Sequence, residues 1–247
     1  MPRFLHLSAL IALLGACTAP REPASPAQQM VDRAIERHGG DRYTNARIEF
    51  TFRGRPFVIL NDGGMFSYTR TYSDSSGSIV EVLSNDGFTR TADGEPYEMT
   101  QREYNIWTED VNSVVYFALL PYKLNDQAVV KRSLGSETVE GRLYERVEVT
   151  FEPEGGGRDH DDRFVFWFHS EDATMDYLAY HYTQRGTSRF RKAVNVREIG
   201  GIRFADYLNY KADSLGYNVE LASKAFEAGK LTLLSDVVLD SVRVEEL

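Results

Sequence analysis

Residues 164–180 read FVFWFHSEDATMDYLAY, and this stretch decides the fold class. Its first five residues are continuously apolar, which predicts a strand that is buried on both faces. Polar residues 170–172 then separate this strand from a second one over residues 175–182. Further strands over 188–197 and 202–210 follow after short gaps, so the sequence predicts a meander of adjacent antiparallel strands.

Apolar residues with a period of two also flank this meander. Ile48, Phe50 and Phe52 alternate with polar neighbours, and Asn85-Asp86-Gly87 is a strong signal for a hairpin turn. The remaining predicted strands cover residues 48–52, 66–72, 79–83, 88–90, 97–99, 143–151 and 237–244. The sequence therefore predicts a mainly β protein of about ten or eleven strands.

Three helices interrupt this pattern. The first begins at Ser25, with Gln28 at the capping-box spacing, and ends at Gly39-Gly40. The second is predicted from apolar residues at three- and four-residue steps between Tyr104 and Ala118, and the third covers 221–228. An α+β class with few helices follows.

Three stretches carry a resemblance to a known family. They are 113–126 (SVVYFALLPYKLND), 155–168 (GGGRDHDDRFVFWF) and 201–211 (GIRFADYLNYK). They resemble an uncharacterised family of predicted bacterial envelope lipoproteins. The order of elements, with the hairpin over 164–180 at its centre, resembles the LolA/LolB-like fold of outer-membrane lipoprotein-sorting proteins. That resemblance implies a strongly bent antiparallel sheet or half-barrel with helices plugging its concave face, where carriers of this fold hold acyl chains. A shared fold does not by itself transfer that function.

Cys17 is the only cysteine, and it follows an eight-residue apolar run and the small residues Gly15 and Ala16. A membrane span needs ~20 apolar residues, so the run has the length of a signal-peptide core. The string resembles the lipobox of bacterial lipoproteins. It implies a signal peptide over 1–16, an acyl chain such as palmitate on Cys17, a flexible spacer to residue 24 and one domain over 25–247. The expected location is the envelope, on the periplasmic face of the outer membrane or on the cell surface. An ordinary secreted protein with a free cysteine is the alternative.

The net charge and the absence of several catalytic and phosphate-binding motifs argue against some classes of function. The chain has 28 basic and 37 acidic residues and therefore a net charge of −9, which argues against a nucleic-acid partner. The sequence lacks a Gly-x-Ser-x-Gly elbow, a His-Glu-x-x-His helix and a glycine-rich phosphate loop. No cofactor is predicted, and a binding protein is favoured over an enzyme.

Two polar groups could nevertheless support chemistry. Asp159, His160, Asp161 and Asp162 follow three glycines and could hold Ca²⁺ or a transition metal, although such loops are usually solvated turns. His169 and His181, with Asp176, could face each other on neighbouring strands, although strand histidines more often make structural hydrogen bonds.

The predicted ligand site consists of aromatic residues on the plugging helices and two arginines on one strand face. The aromatic residues are Tyr104, Trp107, Tyr116 and Phe117, and the arginines are Arg189 and Arg191. The arginines could receive an anionic head group, or they could pair with acidic neighbours on a solvated face. The leading hypothesis is a lipid-anchored protein that binds a hydrophobic or amphiphilic ligand, such as a lipid or a lipoprotein acyl chain. The alternatives are a metal-assisted hydrolase that uses the 159–162 loop and a structural envelope protein that binds another protein through a sheet edge.

Overall fold

The computed structural model describes residues 24–154 and 160–247. These residues form three α-helices: α1 (Pro26–His38), α2 (Gln101–Ala118) and α3 (Ala222–Glu227). They also form fourteen strands: β1 (Asn45–Phe52), β2 (Arg55–Asp62), β3 (Met65–Asp74), β4 (Gly77–Ser84), β5 (Gly87–Ala92), β6 (Glu95–Pro96), β7 (Val129–Val139), β8 (Arg142–Phe151), β9 (Arg163–His169), β10 (Met175–Tyr182), β11 (Thr187–Ile199), β12 (Ile202–Lys211), β13 (Thr232–Val237) and β14 (Asp240–Glu246). No helix within this part of the chain is both long enough and apolar enough to span a bilayer.

The strands form two antiparallel sheets of seven strands each. The N-terminal sheet has the order β14-β1-β2-β3-β4-β5-β6, and the C-terminal sheet has the order β13-β12-β11-β10-β9-β8-β7. Nearly every neighbour in a sheet is also a neighbour in sequence, because most strands return through a short turn. The prediction of a mainly β, bent antiparallel fold with an N-terminal helix and few other helices is confirmed.

The two sheets are joined at one edge. Only residues 238 and 239 separate β13 from β14. The backbone N–H of buried Leu239 donates to Asp206 Oδ1 at 3.1 Å, and its carbonyl accepts from Arg197 at 2.6 Å. The pairing of β11 with β12 shifts register between Val194 and Arg197. Beyond this bulge, Ile202 and the end of the hairpin pack into the core of the N-terminal sheet, so the bend is held by apolar contact.

Strand β9 lies in the interior of the C-terminal sheet, beside the central strand β10, and residues 163–168 are all buried. Phe164, Phe166 and Phe168 pack on one face against α1. Val165 and Trp167 pack on the other face in a cluster that includes Ala222 of α3. The predicted burial of this strand on both faces is therefore confirmed.

Caps set the beginnings of the two longer helices. Ser25 Oγ accepts from the Gln28 N–H at 3.2 Å, but the Gln28 side chain donates to Asp32 and Asn125, so the predicted capping box is only half formed. The complete capping box is at α2, where Thr100 and Glu103 bond reciprocally. These bonds satisfy N–H groups that the first turn of a helix leaves unpaired.

The described residues contain more strands than the sequence predicts. Strand β2 follows β1 after only two residues, and β7 and β13 are sheet-edge strands with little apolar alternation. The predicted strand over 97–99 is wrong, because that segment is irregular and leads into α2. The predicted strand over 237–244 is divided between the two sheets. Pattern alone misses edge strands because they bury little apolar surface.

Candidate functional site

Helix α2 lies between the two sheets and lines two adjoining cavities. Asp110, Ser113 and Phe117 recur at helical spacing on the face toward a cavity of about 470 Å³, which β2, β11 and β12 also line. Thr108 and Tyr116 belong to the part of the helix that lines a second cavity of about 730 Å³, beside β3, β8 and β9. We call these the arginine cavity and the aromatic cavity, after their lining residues.

The aromatic cavity takes its name from eight rings. They belong to Phe66, Tyr68, Tyr104, Tyr116, Phe117, Phe151, Phe164 and Tyr182. The Phe117 ring lies 5.3 Å from the ring of Tyr180 and 6.2 Å from that of Phe164, measured between centroids. Such tilted contacts hold the aromatic rings in fixed orientations. The cavity is also lined by charged side chains, those of Glu109, Asp110, Lys123, Asp126, Asp162 and Arg185.

Two polar atoms in the cavity wall lack a hydrogen-bond partner among residues 24–154 and 160–247. They are the hydroxyl oxygens of Thr108 and Tyr116, and both are buried. Burial, together with the charge of Asp126, raises the pKa of Tyr116 above its ordinary value. A buried hydroxyl without a partner is unfavourable, so these atoms indicate where a polar group of a bound molecule or a water would lie.

The arginine cavity is lined by Arg53, Arg55, Arg70 and Arg191, and its one acidic lining residue is Asp110. Arg53 lies in the two-residue turn between β1 and β2, at φ 52°, followed by Gly54 at φ 73°. Two consecutive residues with positive φ form the tight hairpin turn that matches strand twist. This turn places Arg53 and Arg55 at the same side of the cavity, and the Arg55 guanidinium lies 4.2 Å from the centre of the Tyr72 ring.

Arg191 lies where the two cavities meet. Its guanidinium is 4.3 Å from the centre of the Phe117 ring, and it donates a 2.9 Å hydrogen bond to the Tyr180 hydroxyl. Its Nε is buried and has no hydrogen-bond partner in the described part of the chain, and the same is true of Oδ1 of Asn209 in this cavity. Among residues 24–154 and 160–247, no carboxylate forms an ion pair with Arg191.

A row of buried charges supports the arginine cavity from behind. Glu81 lies directly between Arg70 and Arg90 in the register of β3, β4 and β5. It accepts from Arg70 at 2.6 Å and also pairs with Arg90, and all three side chains are at most 5 % exposed. Burial opposes the charge of Arg90, but its hydrogen bond to Tyr72 and the charge of Glu81 raise its pKa overall. The pairing with Glu81 holds the Arg70 side chain in place at the cavity wall.

Only some of the residues that the sequence predicts in the ligand site line one of the two cavities. Tyr104, Tyr116 and Phe117 line the aromatic cavity, and Arg191 lines the arginine cavity. Trp107, which the sequence predicts in the pocket wall, lines neither cavity. It lies half-buried against Tyr97 and beneath Arg90, because its position on α2 faces β5.

Arg189 is also predicted in the site, but it lies outside both cavities. Its guanidinium forms an ion pair with Asp213 at 2.6 Å, which is the cross-element pairing that the sequence left open as the alternative. The sequence patterns did not predict that Arg53, Arg55 and Asn209 line a cavity. The signal for the first two was the string Phe52-Arg53-Gly54-Arg55, in which a glycine after a strand marks a turn.

His169 and His181 do not face each other on the neighbouring strands β9 and β10. The register of β9 with β10 places His181 opposite Arg163, whereas His169 is at the other end of the hairpin. His181 Nδ1 bonds to Ser188 Oγ at 2.8 Å. Asp176 instead joins three donors, the guanidinium groups of Arg142 and Arg203 and the hydroxyl of Tyr144, at 3.1–3.2 Å. The proposed His–Asp arrangement is therefore wrong.

The acidic loop is only partly described, because Asp159 lies outside the described residues. Asp162 Oδ1 accepts from the Thr183 N–H at 2.9 Å, and the Asp161 carbonyl accepts from the Thr183 hydroxyl at 2.8 Å. His160 is half-buried beside them. Within 24–154 and 160–247, no three His, Cys, Asp or Glu side chains are placed to hold a metal ion. The candidate lipidation site, Cys17, also lies outside the described residues.

Comparison with known proteins gives a family and a set of similar folds. Residues 4–238 match the model of a family of unknown function, DUF6503. A comparison with curated proteins gave no match. Among solved structures, the chain is similar to a LolA superfamily protein from Nitrosomonas europaea, with 11% identity over 90% of this chain and 93% of that chain and a TM-score of 0.49.

Two further structures are similar over most of the chain. A DUF1329 family protein from Desulfovibrio piger has 14% identity and a TM-score of 0.44, and the match covers 89% of this chain and 93% of that chain. A putative outer membrane lipoprotein-sorting protein domain from Vibrio parahaemolyticus has 9% identity and a TM-score of 0.42, covering 74% and 86%. The resemblance to an uncharacterised family and to LolA-like proteins is confirmed, and at this identity it concerns the fold only.

Proposed function

We propose that this chain, which belongs to the family of unknown function DUF6503, is a lipid-anchored envelope protein that binds a hydrophobic or amphiphilic ligand between its two sheets. The aromatic cavity of about 730 Å³ is the observation that carries this proposal. Cavities of roughly 300–1,000 Å³ with apolar walls and a few polar groups are the usual sites for small organic ligands. An acyl chain of a lipid or of a lipoprotein has the matching chemistry.

Apolar burial supplies the driving force. Each buried methylene contributes ~0.8 kcal/mol, so ten methylenes of an acyl chain would contribute about 8 kcal/mol before the costs of association. An amphiphilic ligand also needs a place for its polar part. Asp110, Ser113, Phe117 and Tyr182 line both cavities, so one molecule can extend from the aromatic cavity into the arginine cavity.

Titration with N-phenyl-1-naphthylamine, a neutral probe whose fluorescence rises in apolar surroundings, tests the binding proposal. We expect saturable binding that Phe117→Ala weakens about tenfold, because Phe117 lines both cavities. Trp107→Ala is the matched control on the same helix and should change affinity less than threefold, because Trp107 lines neither. Ser113→Trp should block binding by filling the shared region. Non-saturable fluorescence with the wild-type protein would rule out the proposed function.

The anchor is a separate part of the proposal and rests on the sequence. Cys17 follows Leu14-Gly15-Ala16 and is the only cysteine. Cells fed an alkyne fatty acid should label the wild-type protein, whereas Cys17→Ala should remain unlabelled and Thr18→Ala should label normally. Absence of label on the wild-type protein would make the lipoprotein assignment wrong and leave the binding proposal intact.

A further inference from the structure

The charge of the arginine cavity is opposite to that of the whole protein. The chain carries a net charge of −9. Yet among the described residues the cavity wall contains four arginines, Arg53, Arg55, Arg70 and Arg191, and one acidic residue, Asp110. A local excess of positive charge inside a concave, partly desolvated site favours an anion.

Pairing within the protein does not account for this excess. Arg70 is neutralised by Glu81, so its charge is already compensated. Arg53 and Arg55 contact the rings of Phe52 and Tyr72, and Arg191 contacts Phe117 and Tyr180. Across the described ranges 24–154 and 160–247, none of these three guanidinium groups has a carboxylate within ion-pair distance. Three cations therefore face the cavity against one carboxylate.

Unpartnered polar atoms locate where the anion would bind. Within residues 24–154 and 160–247, the Nε–H of Arg191 is a buried donor without an acceptor, and Oδ1 of Asn209 is a buried acceptor without a donor. Both residues line the arginine cavity. An oxyanion satisfies the first and a hydroxyl satisfies the second. The singly ionised form of a phosphate monoester offers both groups, whereas an ionised carboxylate offers only the oxyanion.

The apolar part of the same molecule has a place next to this site. The Arg191 guanidinium lies 4.3 Å from the Phe117 ring, and Phe117 also lines the aromatic cavity. Resting on the proposed function, we infer that the ligand is an anionic single-chain amphiphile. Its phosphate-type head group is bound by Arg191 and Asn209 with Arg53 and Arg55, and its chain lies in the aromatic cavity. Arg191 is then the residue that selects ligand charge.

Three ligands with the same twelve-carbon chain test this inference: dodecyl phosphate, laurate and dodecanol, each used to displace N-phenyl-1-naphthylamine. We expect dodecyl phosphate to bind at least tenfold more tightly than dodecanol, with laurate between them. Arg191→Met should abolish this preference while leaving dodecanol within twofold. Arg191→Lys should retain most of the preference, because the charge remains.

Lys192→Met is the matched control. Lys192 is the next residue on β11, but it forms an ion pair with Glu140 away from both cavities. Losing its charge should leave all three affinities within twofold. Because Arg191 also packs on Phe117, the double variant Arg53→Met/Arg55→Met provides an independent check. Both side chains are exposed, and their loss should weaken dodecyl phosphate without weakening dodecanol.

The outcomes separate the two proposals. If none of the three ligands displaces the probe, the proposed function fails. If all three bind equally, or if Lys192→Met acts like Arg191→Met, ligand binding stands and the charge selection is wrong. If millimolar inorganic phosphate displaces dodecyl phosphate completely, the site binds free phosphate, and the inference of an amphiphile is overturned.

Discussion

The two sheets of this protein use their buried faces differently. In the C-terminal sheet, β9 is covered on both faces, by the cluster that includes α1 and by the cluster that includes α3. In the N-terminal sheet, β1 alternates between buried and partly exposed residues, so mainly one face is covered. On that covered face, the apolar row of Tyr68, Leu83 and Phe88 is followed by the charged row of Arg70, Glu81 and Arg90.

This difference suggests a division of roles. A sheet with two apolar faces gains most of the hydrophobic stabilisation and is rigid. A sheet with a charged row on its inner face loses some of that stabilisation, but it presents fixed charges to the space beside α2. We therefore interpret the C-terminal sheet as the scaffold and the N-terminal sheet as the surface that gives the cavity its charge.

The two tryptophans of the chain provide the largest expected contrast. Trp167 is fully buried in the C-terminal sheet, and its indole N–H donates to Glu137 at 3.0 Å. Trp167→Ala should lower the free energy of unfolding by ~3–5 kcal/mol, through the lost apolar burial and the cavity left behind. Trp107→Ala should cost only about 1–2 kcal/mol, since that ring is half-buried and stacks on Arg90. Urea denaturation measures both, and equal losses would contradict the division into scaffold and surface.

The buried charge row should show the next largest effect. Glu81→Gln leaves Arg70 buried without a counter-charge and leaves Arg90 only the more distant Asp74, at 3.6 Å, which should cost about 3 kcal/mol. Glu49→Gln is the control in the same sheet, because Glu49 pairs with Arg47 at a partly exposed site and should cost less than ~1 kcal/mol. If Glu81→Gln is as mild as Glu49→Gln, the row does not depend on its central carboxylate.

A smaller effect depends on pH and belongs to the C-terminal sheet. His38 is buried between α1 and β10; its Nδ1 bonds to the Ala34 carbonyl, and its Nε2 accepts from the Met175 N–H at 3.3 Å. Burial, with the nearby charges of Arg203 and Arg37, lowers the pKa of His38 from 6.5 to about 3. Between these values the unfolded chain binds a proton that the folded chain does not bind, so stability falls as the pH falls below 6.5.

At pH 5 this group should reduce the free energy of unfolding by about 2 kcal/mol relative to pH 7. His38→Gln should remove that part of the pH dependence, although it also lowers stability at pH 7 by disturbing the buried hydrogen bonds. Urea denaturation at both pH values measures the difference. An unchanged loss between pH 7 and pH 5 in the variant would show that His38 is not the group responsible.

Local sequence patterns were sufficient for much of the fold. The apolar run 164–168 predicted a strand buried on both faces because no polar residue is available to face solvent. The helical spacing between Tyr104 and Ala118 predicted α2, and the glycine-containing turns predicted the antiparallel order. Each of these features depends on residues close together in the chain, so the sequence alone could determine them.

The site depended on contacts between distant residues. Arg191, Phe117 and Asn209 come together only because α2 lies between sheets that join at Leu239. Arg189 and Arg191 look equivalent on their strand, but Asp213 pairs with the first and no carboxylate of the described chain pairs with the second. The environment of a side chain includes elements that lie tens of residues away in the chain. The fold therefore determines which of two similar side chains faces a cavity. Local patterns in the sequence therefore determined the helices, most of the strands and their order, whereas contacts between distant residues determined which charges are compensated and which face the cavity.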